Sequence, residues 1–141
     1  MTPERPHAKP ILVTGAAGAV GSIGRNLTEM LVGKGHRVRA LVRREDERAQ
    51  ALRQLGAEVM QGDLTDLSAM HRAIEDCARV YFGMSVSSDY LTATINTAAV
   101  ACNHGVEAFV NMSHPARDRH GNRSAAQSNR RGSCSRKRPQ Y

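Results

Sequence analysis

The sequence has no tryptophan and only 4% aromatic residues. That scarcity counts against a surface for single-stranded nucleic acid, which needs rings to stack bases as well as charge. No uninterrupted apolar run approaches the roughly 20 residues required to cross a bilayer, which excludes a transmembrane helix. Met1 to Lys9 is polar and broken by proline, and it lacks the apolar segment of a secretory signal. A cytoplasmic location is therefore expected. Cysteine is scarce too. Cys77, Cys102 and Cys134 are widely spaced and odd in number, with no CxxC and no Cys/His pair at zinc-ligand spacing. The pattern supports neither a disulfide framework nor a metal site, and reduced, buried thiols are the ordinary reading.

At 141 residues the chain suits one domain and not a large multidomain enzyme. Its formal charge of +7 is unevenly placed. Residues 1–114 hold 12 Lys or Arg against 12 Asp or Glu, whereas residues 115–141 hold 8 basic residues and the single acid Asp118. A basic isoelectric point ordinarily points to nucleic acid. Here the body is neutral, so a nucleic-acid partner is not expected.

From Pro10 to Ser113 short β-rich runs alternate with helical periodicity. Ile11-Leu12-Val13 reads as a strand buried on both faces. A glycine-rich turn follows, then a helix with Leu27, Met30 and Leu31 on one face, ended by Gly33 and Gly35. Val38 to Val42 is a second strand. Glu45 to Leu55 is a charged helix lined by Ala49, Leu52 and Leu55, and Ala57 to Met60 is a third strand. Thr65 or Asp66 can cap a helix that buries Leu67, Met70 and Ile74. Arg79 to Gly83 is the fourth strand. Ser88 or Asp89 can cap a long helix rich in small residues to about Asn103, and Val106 to Met112 is the fifth strand. This alternation predicts an α/β fold, a doubly wound parallel sheet of about five strands in the order 3-2-1-4-5. The fifth strand would then lie at an open edge, which favours self-association or poor solubility.

The division expected is a disordered start over 1–9, one Rossmann-like α/β domain over 10–113, whose ligand the next motif indicates, and a disordered basic tail over 114–141. His114 to Tyr141 contains no Val, Ile, Leu, Met or Phe and cannot bury enough apolar surface to offset the entropy of ordering. Two explanations compete. The tail is either a basic arm for nucleic acid or anionic lipid, or the product of an abnormal reading frame or gene end, which would leave the sheet incomplete at its C-terminal side.

Residues 13–24, Val-Thr-Gly-Ala-Ala-Gly-Ala-Val-Gly-Ser-Ile-Gly, lie between the first strand and the first helix. In that context a glycine cluster has chemical meaning. Missing side chains let the backbone turn sharply, N–H groups approach a diphosphate, and the helix N-terminus adds partial positive charge. Gly15, Gly18 and Gly21 fit GxxGxxG, and Gly24 follows in a position to pack the helix on the sheet. The residues expected to hold a dinucleotide here are Gly15, Ala17, Gly18, Ala19, Val20 and Gly21. The second strand ends at Arg43 and Arg44, with no acid before Glu45. Guanidinium groups match a 2′-phosphate, so NADP(H) is expected over NAD(H).

Val13 to Gly18, Gly35 to Arg43, Gly56-Ala57-Glu58-Val59 and Gly62-Asp63-Leu64 together resemble NmrA-like atypical short-chain dehydrogenases/reductases, over Pro10 to Ser113. The resemblance implies a Rossmann fold binding NAD(P). It also implies that Asp63 and Leu64 lie beside the adenine, and that Gly83 and Met84 run past the coenzyme ribose toward the nicotinamide. Ser113, ending the fifth strand, stands where short-chain dehydrogenases often place a serine that positions a substrate carbonyl. Catalytic members follow it with Tyr and Lys four residues apart. Here Ser85 and Thr94 lie four residues after Tyr81 and Tyr90, and Tyr141 is the last residue, so no such pair exists. Many NmrA-like members lack it as well. No catalytic residue is assigned and the substrate is unidentified. The readings are an NAD(P)H-dependent oxidoreductase by ancestry, a non-catalytic NADP(H) redox sensor, or an inactive fragment.

An arm that binds DNA would give an affinity that falls and loses its salt dependence once residues 115–141 are deleted. The neutral body and ring-poor tail predict no specific DNA binding in either form, measured by fluorescence anisotropy at two salt concentrations.

Overall fold

Successive residues of the central strands are claimed by opposite faces of one sheet. Leu12, Leu41 and Val80 enter one buried cluster, while Val13, Ala40 and Val42 enter the other. A strand buried on both faces needs a helical layer on each side, which the chain supplies in alternation. The computed structural model describes residues 8–18 and 23–113. Ala19, Val20 and Gly21 of the expected turn, residues 1–7 and the tail from 114 onward lie outside them.

The elements are β1 (Ile11–Thr14), α1 (Ile23–Gly33), β2 (Val38–Val42), α2 (Glu47–Gln54), β3 (Glu58–Gln61), α3 (Leu67–Ile74), β4 (Arg79–Phe82), α4 (Tyr90–Asn103) and β5 (Ala108–Asn111). All strand pairs are parallel, in the order β3-β2-β1-β4-β5. That is the expected doubly wound arrangement. Leu27, Leu31 and Val32 of α1, with Ala49 and Leu52 of α2, cover one face. Met70, Ala73 and Ile74 of α3, with Val100 and Ala101 of α4, cover the other. No described helix is long and apolar enough to span a membrane.

Local chemistry fixes the element ends. Gly35, at φ +80°, closes α1, and the amides of Gly35 and His36 bond the carbonyls of Val32 and Leu31. Asp46 caps α2 by accepting from the amides of Arg48 and Ala49, so this helix starts at Glu47, two residues later than expected. Asp66, not Thr65, caps α3 by accepting from the Ser68 amide. Asp89 takes the N-cap position of α4, but its side chain makes no capping bond.

Two expected core residues are corrected. Met30 and Leu67 are 60% and 50% exposed. Thr28 fills the buried line of α1 in place of Met30, with its hydroxyl donating to the Gly24 carbonyl at 2.8 Å. Leu67, in the first turn of α3, precedes the turns that meet the sheet through Ala69, Met70, Ala73 and Ile74. β3 and β5 are also displaced or shortened relative to the periodicity, and both are edges, where a missing neighbour ends the ladder early. On β5, Val110 is 56% exposed.

Arg39 ties the sheet to α3. From β2 its guanidinium donates to the carbonyls of Ala73 at 2.9 Å and Glu75 at 2.8 Å, and to the Glu58 carboxylate at 3.1 Å. Those carbonyls end a helix and have no partner within it, and a cation at a helix C-terminus is also favoured by the dipole. Beside it the buried Cys77 thiol is pushed above its ordinary pKa, chiefly by burial, and is held in the unreactive protonated form. Replacing Arg39 by Ala leaves the Ala73 carbonyl with only the Cys77 thiol, at 3.3 Å, and takes this donor from the Glu75 carbonyl and the Glu58 carboxylate. The expected loss is about 2 kcal/mol or more, read by urea denaturation, and a change under about 0.5 kcal/mol would show that water satisfies the helix end.

Candidate functional site

The two segments expected to line the crevice are joined by one hydroxyl. Thr14, fully buried at the end of β1, donates through Oγ1 to the Gly83 carbonyl at 2.9 Å and accepts from the Gly83 amide at 2.9 Å. This reciprocal pair binds the residue after β4 to the last residue of β1. β1 and β4 are adjacent strands, and the chain departs from them to opposite sides of the sheet. Open α/β sheets bind ligands at such a reversal, beyond the carboxyl ends of the strands.

Gly15 follows at once, with φ +72°, and a Cβ there would lie 2.5 Å from the Gly83 carbonyl oxygen. Both the backbone conformation and the space demand glycine. The Gly18 amide then bonds the Gly15 carbonyl at 3.1 Å, which makes the turn tight. Gly24, buried at the start of α1, would put a Cβ 2.9 Å from the Ala16 amide nitrogen and the Gly15 carbonyl oxygen. It packs the helix onto the turn itself and not onto a strand. A glycine-rich turn set before a helix N-terminus is the kind of place where backbone amides can meet an anion. Met84 follows Gly83 and is half-buried, and the Tyr81 ring lies against Gly83.

At the other end of the crevice the loops after β2 and β3 meet. Arg43 Nε lies 3.6 Å from Asp63 Oδ2, with the arginine side chain 82% exposed. The sequence reading placed no acid beside Arg43, and the fold brings one from the next strand. The hydroxyl and amide of Thr65 donate to Asp63 at 2.7 and 2.8 Å, and these bonds, with Arg43 behind them, hold its carboxyl below the ordinary range. Leu64 turns the other way, into the cluster under α3 and α4. Arg44 is exposed. Glu45, the first acid after β2, is engaged by both terminal nitrogens of Arg53 at 2.7 Å.

Two residues here are not among the expected ones. Thr14 is the first; its signal is a hydroxyl ending a fully buried strand. Arg48, in the first turn of α2, donates from Nη1 to the Ala17 carbonyl at 3.0 Å and fastens the glycine turn to the second helix. Its position five residues after Arg43 is the one available clue. Tyr90 is committed elsewhere, with its hydroxyl 2.6 Å from the Met112 carbonyl and 3.2 Å from Asn111 Oδ1. Ser113 is exposed beyond β5. A depression of about 470 Å³ on the exposed side of α2 is lined by Glu45, Asp46, Glu47 and neighbours, and its acidity disfavours a phosphate.

The glycine turn is clamped to β4 and the arginine-bearing loop follows β2, at the end of the sheet where open α/β folds take ligands, and comparison with known proteins decides the family. A model of the NAD(P)H-binding family matches residues 18–136. The chain belongs to this family. As a member of the NAD(P)H-binding family it is 39% identical over 70 residues to sterol demethylase protein B of Methylococcus capsulatus, a stretch covering 50% of this chain and 21% of that protein. The crystal structure of an NmrA mutant superposes with a TM-score of 0.69 at 24% identity, covering 76% of this chain and 34% of that one. The triphenylmethane reductase of Citrobacter sp., complexed with NADP(H), gives 0.57 at 24% identity over 74% of this chain and 37% of that one. Both structures establish a shared fold. The chain spans 13% to 21% of the length of the curated relatives it matches.

Replacing Gly15 by Ala in this NAD(P)H-binding chain is expected to cost about 2–5 kcal/mol, from a left-handed backbone and overpacking against Gly83. Thr14→Val, which keeps the shape and removes both bonds, is expected to cost about 1–3 kcal/mol. Chemical denaturation of the two variants checks this, and a neutral Thr14→Val would refute the clamp.

Proposed function

We propose that the chain is the coenzyme-binding part of an NADPH-dependent oxidoreductase of the NmrA-like, atypical short-chain dehydrogenase type. The observation that carries this is the Thr14–Gly83 clamp, which sets the glycine turn against the strand where the sheet reverses. Gly15, Ala17 and Gly18 hold the diphosphate, with Ala19, Val20 and Gly21 of the same turn. Asp63 and the backbone of Leu64 lie beside the adenine, and Gly83 and Met84 pass the ribose. When bound, the coenzyme supplies a hydride, and the protein's work is to place and orient it.

Preference for the 2′-phosphorylated coenzyme rests on charge. Arg43 and Arg44 stand exposed where an NAD site needs a free carboxylate for the ribose hydroxyls. Glu45 is occupied by Arg53, and Asp63 already faces Arg43. The Citrobacter reductase of the same fold, solved with NADP(H), supports the same choice. A second reading, which the NmrA-like resemblance allows, is a non-catalytic NADP(H) redox sensor whose partner affinity follows the coenzyme's redox state. We also infer a cytoplasmic location, and self-association through the exposed β5 edge with Val110 and Met112. A clean monomer by light scattering would refute that assignment.

Arg43→Ala is expected to weaken NADPH binding about tenfold or more, the value of a lost charge-assisted bond, with NADH affected about twofold at most. Calorimetry with both coenzymes decides, and equal losses would end the phosphate assignment. A screen of NADPH oxidation against quinones and small carbonyls separates the two readings. Turnover establishes the oxidoreductase, and tight binding without turnover leaves the sensor.

A further inference from the structure

We propose that Arg48 is a positioning residue for the coenzyme diphosphate: through the Ala17 carbonyl it fixes the glycine turn in the shape that takes the anion. The assignment rests on the coenzyme-binding reading above. It separates Arg48 from Arg43, which that reading sets against the ribose phosphate.

The peptide between Ala17 and Gly18 is planar, so its carbonyl and its amide point opposite ways and turn together. Arg48 Nη1 donates to the carbonyl at 3.0 Å, and the amide donates to the Gly15 carbonyl at 3.1 Å. One peptide is therefore pinned from both sides, by α2 and from within the turn. Ala17 and Gly18 carry no bulky side chain to restrain its rotation. Rotating it would break both bonds and bring two carbonyl oxygens face to face, so the turn would have to open. A turn held in shape before the anion arrives binds it without the cost of ordering.

Arg48 is itself held. In the first turn of α2, Asp46 Oδ1 accepts from the amides of Arg48 and Ala49 at 3.0 and 3.2 Å, and Asp46 Oδ2 lies 3.8 Å from Arg48 Nε. One carboxylate thus caps the helix and steadies the guanidinium. Ala49 and Leu52 of the same helix share a buried cluster with Ala16, and Ala17 packs against that cluster. The reach from α2 to the turn is set by core packing. A guanidinium committed to a carbonyl of the turn acts on whatever the turn binds. The diphosphate is common to NADPH and NADH, whereas the 2′-phosphate belongs to NADPH alone, so the two arginines leave different signatures.

Calorimetry on the full chain reads NADPH, NADH and 2′-AMP, which has the ribose phosphate and the adenine but no diphosphate. Arg48→Met keeps the aliphatic stem and removes the donors. It is expected to weaken NADPH and NADH by the same factor, about fivefold or more, and to leave 2′-AMP unchanged. Arg48→Lys, which still offers a donor, is expected to recover most of the loss. Without coenzyme, NMR is expected to show faster amide exchange at Gly18 in Arg48→Met, and unchanged exchange there overturns the peptide as the link. A loss confined to NADPH and 2′-AMP overturns the assignment and makes Arg48 a phosphate ligand. Equal losses for all three ligands overturn it in favour of general destabilisation. Undiminished binding of both coenzymes by Arg48→Met overturns it and leaves the coenzyme reading intact. A wild-type chain that binds neither coenzyme refutes that reading, and this assignment with it.

Discussion

Three backbone layers lie within contact of one another at the head of the sheet, and the crevice depends on that approach. The Gly83 carbonyl, the Gly15–Ala16 turn and the first turn of α1 at Gly24 stack with no side chain between them. A Cβ at position 15 would penetrate the first interface and one at position 24 the second. Thr14 sets the spacing by bonding both the amide and the carbonyl of Gly83, in effect continuing the ladder between β1 and β4 by one side chain. The shape of the glycine turn is therefore a consequence of packing. Where backbones must touch, side chains are absent.

The same logic shows which parts of the molecule were legible from its sequence. Buried strands such as Leu12-Val13 and Val38 to Val42 are written as short apolar runs, and their order follows from their alternation with helices. The glycine turn is legible because its composition is extreme. Met30 and Leu67 misled because a 3.6-residue period names a face without saying which turns of that face reach the sheet. In α1, Thr28 takes the buried place because its hydroxyl can return to the Gly24 carbonyl within the helix. The partners of Arg43 and Ala17 were not legible at all. Asp63 and Arg48 reach them from β3's loop and α2, and such meetings are set by the register of the sheet and the seating of a helix.

On the loop after β2 the exposed arginines Arg43 and Arg44 remain exchangeable. Arg53 is held by a two-pronged contact with Glu45, and Arg48 is held by a carbonyl of the glycine turn. Arg43 has only a single, longer contact with Asp63, and most of its side chain is in water. An exposed pair of this kind contributes about 0–1 kcal/mol, so a phosphate can take the guanidinium at small cost. Asp63 loses little in the exchange, because Thr65 supplies the two bonds that matter most to its charge. Those bonds depress its pKa in the folded chain. Their contribution is complete above the ordinary carboxylate range and is lost only as the pH falls through the lowered value. Across the neutral range the loop after β3 thus keeps its shape and its charge whether or not Arg43 turns away. The loop after β3 therefore holds its place while the Arg43 side chain is free to exchange partners, a separation that the proposed 2′-phosphate contact would use.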